Sequence, residues 1–301
     1  MKLVISASPH IDSGATTRKI MGDVLIALCP ELIAAVIIFG WRALLVTAVC
    51  AAACVFFEWG FEKLCHKPST IDDLSAVVTG VILAYNLPVS IPLWQAVFGC
   101  LVAIVAVKQL FGGIGKNFAN PALVGRIVLF LSFSKTMTAW VFPDAVSSAT
   151  PLAQLAAGQK PELWTLLLGN HGGCIGETCA LALLLGGVYL LLRGVITWQT
   201  PVCFVGTVFV LSLILGQDAV RQILSGGLLL GAFFMATDYV TAPQTCWGRA
   251  LFGIGAGLLT CLIRFYGSYA EGVSFAILFM NILTPYLSKW TRSKPLGGVP
   301  A

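Results

Sequence analysis

The sequence predicts an all-α integral membrane protein with about ten transmembrane helices, and three observations carry that prediction. Charged residues are 10% of the chain against 58% for the AVILMFWYC set, and mean hydropathy is +0.91; a soluble domain carries about a quarter charged residues. Polar positions and Pro/Gly punctuation cut the chain into ten apolar segments. Lysine and arginine concentrate in alternate loops, a signature of membrane topology, so the net charge of +5 points to a lipid bilayer and not to nucleic acid.

Taken in order, segment 22–40 is an apolar run interrupted at Pro30 and Glu31. It is expected to act as the targeting signal, because no short apolar stretch ends in a small-residue cleavage site. Segment 42–61 is long enough to cross. Segment 74–88 ends in AYNLP and falls short of the roughly 20 residues that a straight crossing needs, so it is predicted to be tilted, broken or shielded by neighbours. Segment 91–111 crosses back. Segment 121–134 follows GGIGKNFANPALVGR (112–126), carries Arg126 near its start, and is also short. Segment 177–193 opens at Glu177, 201–216 returns, and 221–237 runs into Asp238. Segments 248–265 and 273–288 complete the set.

This division gives an N-terminal membrane half (1–134), a long polar loop (135–176) and a C-terminal membrane half (177–301). Gly22-Asp23 and Gly176-Glu177 open equivalent segments, and TGVILAYNLP (79–88) echoes SGGLLLGAFF (225–234). Five helices per half would make these two inverted repeats.

Ten crossings put twelve basic residues on the side of both termini: Lys2, Arg18, Lys19, Lys63, Lys67, Lys108, Lys116, Arg193, Arg249, Lys289, Arg292 and Lys294. Five fall opposite: Arg42, Lys135, Lys160, Arg221 and Arg264. Both termini are therefore expected in the cytoplasm of a cell-membrane protein, with loop 135–176 outside. The ten cysteines contain no C-x-x-C and lie mostly within apolar runs, so they read as packing residues. His10, His66 and His171 show no metal spacing, and no metal site is expected.

Two Ala-Thr pairs stand out among small polar residues: DSGATT (12–17), expected inside, and DAVSSATPL (144–152), expected outside. A threonine hydroxyl needs an external base or enzyme to become linked to a phosphate. Thr150 has a slim-walled, outward setting, with Pro151 holding the backbone before it extended; an ST-turn or a helix cap would use the same residues. In 112–126 the glycines allow positive φ and close backbone approach. Asn117 and Asn120 offer donors and acceptors suited to an isoalloxazine edge, while the alternative is a tight corner capped by the asparagines. Arg126 facing lipid would cost about 2.5–3.5 kcal/mol, so it is expected to face a carboxylate, a flavin phosphate or a carbonyl cage.

Intramembrane acids are ion-path candidates, and here these are Glu31, Asp238 and Glu177. Glu31 could instead be a protonated packing residue. Glu177 could simply partner a helix N-terminus, and Asp238 could pair with Arg249 or Arg126.

SPHI (8–11), KIMGDVLIALCP (19–30), GGIGKNFANPALVGR, SSATPL (147–152), GETCALALLLGG (176–187), ATDYVTAP (236–243) and YAEGVSFAILFMN (269–281) occur in that order. Together they resemble the D subunit of the Rnf complex, an ion-pumping ferredoxin:NAD oxidoreductase, over almost the whole chain. They are also similar to the B subunit of the sodium-pumping NADH:quinone reductase, whose longer N-terminal extension this chain lacks.

The resemblance implies FMN joined through its phosphate to Thr150 by a flavin transferase. Asp144, Ser147 and Ser148 complete the acceptor pattern D-x-x-S-S-A-T, which DSGATT lacks because His10 holds the acidic position. It also implies an associated non-covalent riboflavin and transport of Na⁺ or H⁺. Implied partners are other Rnf subunits, among them a second covalently flavinylated subunit and membrane iron–sulfur subunits. No nicotinamide fingerprint or cluster motif occurs, so NADH and ferredoxin would be handled by those partners. A non-redox solute transporter or channel built on inverted repeats is the alternative from another class.

Overall fold

The computed structural model describes residues 15–140, 150–267 and 272–292, and every regular element among them is helical. The first two helices, α1 (Thr17–Phe39) and α2 (Trp41–Leu64), form a long hairpin around Gly40. Gly40 has φ +74°, a left-handed value that glycine adopts without a Cβ clash. A 3₁₀ turn (Ile71–Asp73) leads into α3 (Ser75–Tyr85), and α4 (Leu93–Leu101) runs on as a π-helix over Val102–Gln109. Next come α5 (Pro121–Ser132), α6 (Ser134–Met137), α7 (Pro151–Ala156) and α8 (Leu163–Leu168).

The second half contains α9 (Ala180–Leu192), α10 (Gln199–Ile214), α11 (Ala219–Leu224) and α12 (Leu228–Leu230). The last of these continues as a π-helix over Gly231–Met235. Helices α13 (Cys246–Tyr266) and α14 (Val273–Trp290) close the bundle.

Each of the ten apolar segments coincides with helix. Three helices, α1, α2 and α13, are individually long and apolar enough to cross a membrane. Their outer faces are apolar: Ile37 of α1 is 78% exposed, and Leu64 of α2 is 79% exposed. A soluble chain would not leave so much aliphatic surface uncovered, so these faces belong in lipid.

Two segments are interrupted: 74–88, as its shortness predicts, and 221–237, which the sequence presents as one continuous run; 121–134 forms one helix to Ser132. Helix α3 stops at Tyr85, and the carbonyls of Tyr85 and Leu87 accept the backbone N–H groups of Gly176 (2.9 Å) and Ile175 (3.0 Å). A broken helix is tolerated at membrane depth only where another chain segment satisfies its backbone in this way. Segment 221–237 is not continuous but breaks at Ser225–Gly227, where Gly226 adopts φ +67°.

The direction of the bundle follows from its contacts. Residues of the first turns of α1 and α5 line one large cavity together with Asp238. At the opposite end of α1, Ile38 lies against Gly169, and Leu152 of α7 lies against Gly226. Segment 226–238 therefore connects the α7 end to the cavity end, and α13 runs between the same two ends.

Candidate functional site

The cavity encloses about 370 Å³ and is mostly apolar, with Met21, Val24, Val78, Ile82, Phe233 and Phe234 among its walls. Polar side chains in its lining include Ser75, Thr79, Lys108, Asn117, Asn120, Thr237 and Asp238. Small-molecule sites occupy roughly 300–1,000 Å³ and combine apolar walls with a few placed polar groups. Both π-helical runs contribute to the lining, through Lys108 and through Phe233 and Phe234; such distortions of the α-helix recur at functional sites.

The glycine corner before α5 shapes the rim. Gly112, Gly113 and Gly115 all have positive φ, and Gly115 faces the cavity. The two asparagines divide their work. Asn120 is the N-cap of α5: its Oδ1 accepts from Ala122 N (3.1 Å) and its Nδ2 donates to Met235 O (3.4 Å). Asn117 instead holds a buried Oδ1 with no hydrogen-bond partner among the described residues, an orphan acceptor that a bound donor would satisfy.

Asp238 lies in the turn beyond the second π-helix, half-buried at the cavity edge. Its carboxylate accepts from Thr241 Oγ1 (3.0 Å) and Val240 N (3.4 Å), and not from either arginine proposed for it. Burial pushes its carboxyl above the usual carboxylate range, with those two hydrogen bonds opposing the shift.

Arg126 turns away from the cavity into the middle of the bundle. Its Nη2 pairs with Glu177 Oε1 at 3.2 Å, and its Nη1 donates to Asn86 Oδ1 (3.0 Å) and Ser274 Oγ (2.6 Å). All four side chains are buried. Of the environments expected for Arg126, the structure selects the carboxylate. Glu177 does not open a helix, because α9 begins three residues later; it is the anion of this pair. Gly227 makes room for it: a Cβ there would lie 2.7 Å from Glu177 Oε1.

Glu31 is fully buried just after Pro30, and neither carboxylate oxygen has a hydrogen-bond partner among the described residues. The Cys179 amide and the Glu177 carboxylate are its electrostatic neighbours. A bare carboxylate in that position is costly unless a proton or cation joins it.

Thr150 is the N-cap of α7, its Oγ1 accepting from Ala153 N at 3.3 Å, and it remains half-buried at the surface. Thr16 caps α1 in the same way, accepting from Lys19 N at 3.3 Å. The cap geometry is thus common to both Ala-Thr pairs and does not separate them. Asp144, Ser147 and Ser148 lie outside the described residues.

A further buried polar cluster escaped the sequence reading. Lys108 pairs with Glu58 at 2.7 Å and donates to Ser75 Oγ (2.6 Å). Gln109 Nε2 donates to Glu58 Oε1 (2.8 Å), and Thr70 Oγ1 bonds both Glu58 and Glu62. Lys108 is not a loop charge; it is 3% exposed and lines the cavity. Its partner Glu58 lies fifty positions earlier, and no local pattern announces that contact.

Residues 4–297 match the family model described as the NQR2, RnfD, RnfE family. The chain is 46% identical to the D subunit of the Na(+)-translocating ferredoxin:NAD(+) oxidoreductase complex of Acetobacterium woodii, covering 99% of this chain and 96% of that one. It is 41% identical to the D subunit of the proton-translocating ferredoxin:NAD(+) oxidoreductase complex of Clostridium ljungdahlii, over 97% and 96% of the two chains. It is 34% identical to the D subunit of the ion-translocating oxidoreductase complex of Actinobacillus succinogenes, over 97% of each.

Proposed function

The chain belongs to the NQR2, RnfD, RnfE family, and from that membership we propose that it is the D-type membrane subunit of an Rnf ion-translocating ferredoxin:NAD oxidoreductase. The observation that carries this reading is the near full-length similarity to proteins named as the D subunits of such complexes. The relatives of Acetobacterium woodii and Clostridium ljungdahlii, both above 40% identity, are named for different ions, sodium and protons, so similarity alone does not choose between Na⁺ and H⁺.

In this reading the chain crosses the cell membrane ten times with both termini in the cytoplasm, and its halves are inverted repeats. Its partners are the other Rnf subunits, including a second covalently flavinylated subunit and membrane iron–sulfur subunits, which handle ferredoxin and NADH. FMN is held covalently at Thr150 and riboflavin non-covalently in the 370 Å³ cavity. The fit of the cavity rests on its apolar walls, on the orphan acceptor of Asn117 and on the polar edge at Asp238. Asn120 caps α5 with one lone pair and bonds Met235 with one N–H, which leaves its amide a second donor and a second acceptor site toward the cavity it lines. When bound, flavins accept and pass on electrons.

The chain's own residues exclude water, fix the two sites at opposite ends of the bundle, and hold ionisable groups between them. Arg126 with Glu177 anchors the broken helices, while Glu31 and Asp238 are the acids placed to take up a cation or a proton. Thr150→Val removes the hydroxyl and keeps the shape. The chain should then insert normally yet lose the flavin fluorescence that survives boiling in a denaturing gel. Covalent flavin retained in that variant contradicts the attachment site.

A further inference from the structure

The helix capped by Thr150 walls a second cavity, of about 310 Å³, at the end of the bundle away from the first. Leu152 and Leu155 form one side, Gln217 and Gln222 another, and Arg264 with Tyr266 a third. Unlike the first cavity, this one is as polar as it is apolar.

Arg264 belongs to the last turn of α13, where a cation suits the negative end of the helix dipole. Its guanidinium is held by the carbonyls of Gln222 (2.7 Å) and Ser225 (3.0 Å). Gly226 brings α7 and this guanidinium to one corner: a Cβ there would lie 2.6 Å from Leu152 Cδ1 and 3.4 Å from Arg264 Nη2. Its φ of +67° favours glycine there, and a side chain would also have to displace the tip of Leu152.

We propose that this cavity seats the flavin linked to Thr150, with Arg264 as the cationic residue beside it; the inference rests on the assignment of FMN to Thr150. A phosphoester keeps a negative charge, and a flavin ring gains negative charge on reduction. The two carbonyls fix the guanidinium in place, and its positive charge and planar fork of donors suit the oxygens of either group. Gln217 and Gln222 add amide groups for a ring edge, and Tyr266 adds an aromatic face. The first cavity is out of reach of the same tether. Arg249 borders Asp238 at that end, and the fifteen residues of α13 from there to Arg264 span about 22 Å.

The test uses the purified complex, with intact mass, flavin reduction potential and iodide quenching of flavin fluorescence as readouts. Arg264→Gln should keep the FMN mass while the reduced form is disfavoured about tenfold, about 30 mV for a two-electron couple. Ala156→Trp, from an exposed position on the α7 wall of the cavity, should keep the mass while iodide quenching rises several-fold. Should Arg264→Gln fail to assemble, the quenching of Ala156→Trp decides alone. Full FMN mass with wild-type potential and quenching in the variants overturns the seat and leaves the attachment intact. Wild-type protein without covalent FMN overturns the attachment, and the seat with it.

Discussion

Arg126 and Glu177 meet with both side chains at most 5% exposed, so the loss of one removes an opposite charge from the buried surroundings of the other. Arg126→Ala is expected to cost about 3–5 kcal/mol. Replacing both residues by methionine should recover much of that loss, and a double-mutant cycle on thermal unfolding in detergent measures the coupling. Additive single costs would contradict a pair. Asp238 gives a pH test. Its folded pKa is raised, so folding favours the protonated form, and stability falls as pH climbs from the usual aspartate value, about 3.9, through the raised one. Asp238→Asn should therefore match the wild type in acid and exceed its melting temperature at neutral pH. An offset independent of pH contradicts burial as the cause. Residue roles were legible where chemistry is intrinsic, as in an arginine inside an apolar helix that must find an anion. They were not legible where the partner is remote: Glu58 for Lys108, or Met235 for the Asn120 amide.

At the scale of elements, helix contact depends on a few glycines. A Cβ on Gly186 of α9 would lie 2.1 Å from the Ala27 carbonyl of α1, and one on Gly176, before α9, would lie 2.3 Å from Tyr85 Cβ. The Ala27 carbonyl is backbone and cannot give way without moving α1, so Gly186→Ala should cost about 1–3 kcal/mol as overpacking. Gly206 in α10 has nothing within 4 Å of its Cβ position, so Gly206→Ala should be neutral or stabilising by up to about 1 kcal/mol through helix propensity. Equal melting shifts for the two variants would contradict the α1–α9 packing. Periodicity and punctuation placed all ten apolar segments within a few residues of helix. They missed the interruption at Ser225–Gly227 and the late start of α9, because backbone breaks at membrane depth depend on which other segment satisfies the freed groups. For α3 the signal was present, since AYNLP ends the segment early and Gly176 and Ile175 complete it.

For the whole molecule, orientation decides which sites share a compartment. Without buried Lys108 the expected cytoplasmic side keeps eleven basic residues, twelve minus one, against five. Three of the five are tied to carbonyls: Arg42 to Val89 (2.9 Å), Arg221 to Pro161 (2.7 Å) and Arg264 to Gln222 (2.7 Å). Reporter fusions after Lys2, within 63–72 and at Lys294 should report cytoplasm, and one at Gly158 the outer side; termini on opposite faces would contradict an even number of crossings. The central claim is narrower and can be tested by weighing the protein. Joining FMN to the threonine hydroxyl through its phosphate adds the mass of FMN less one water. Intact-protein mass spectrometry of the native chain, followed by mapping of the modified peptide, should show that single increment on the peptide containing Thr150. An unmodified chain, or the increment on the peptide containing Thr16, contradicts the account.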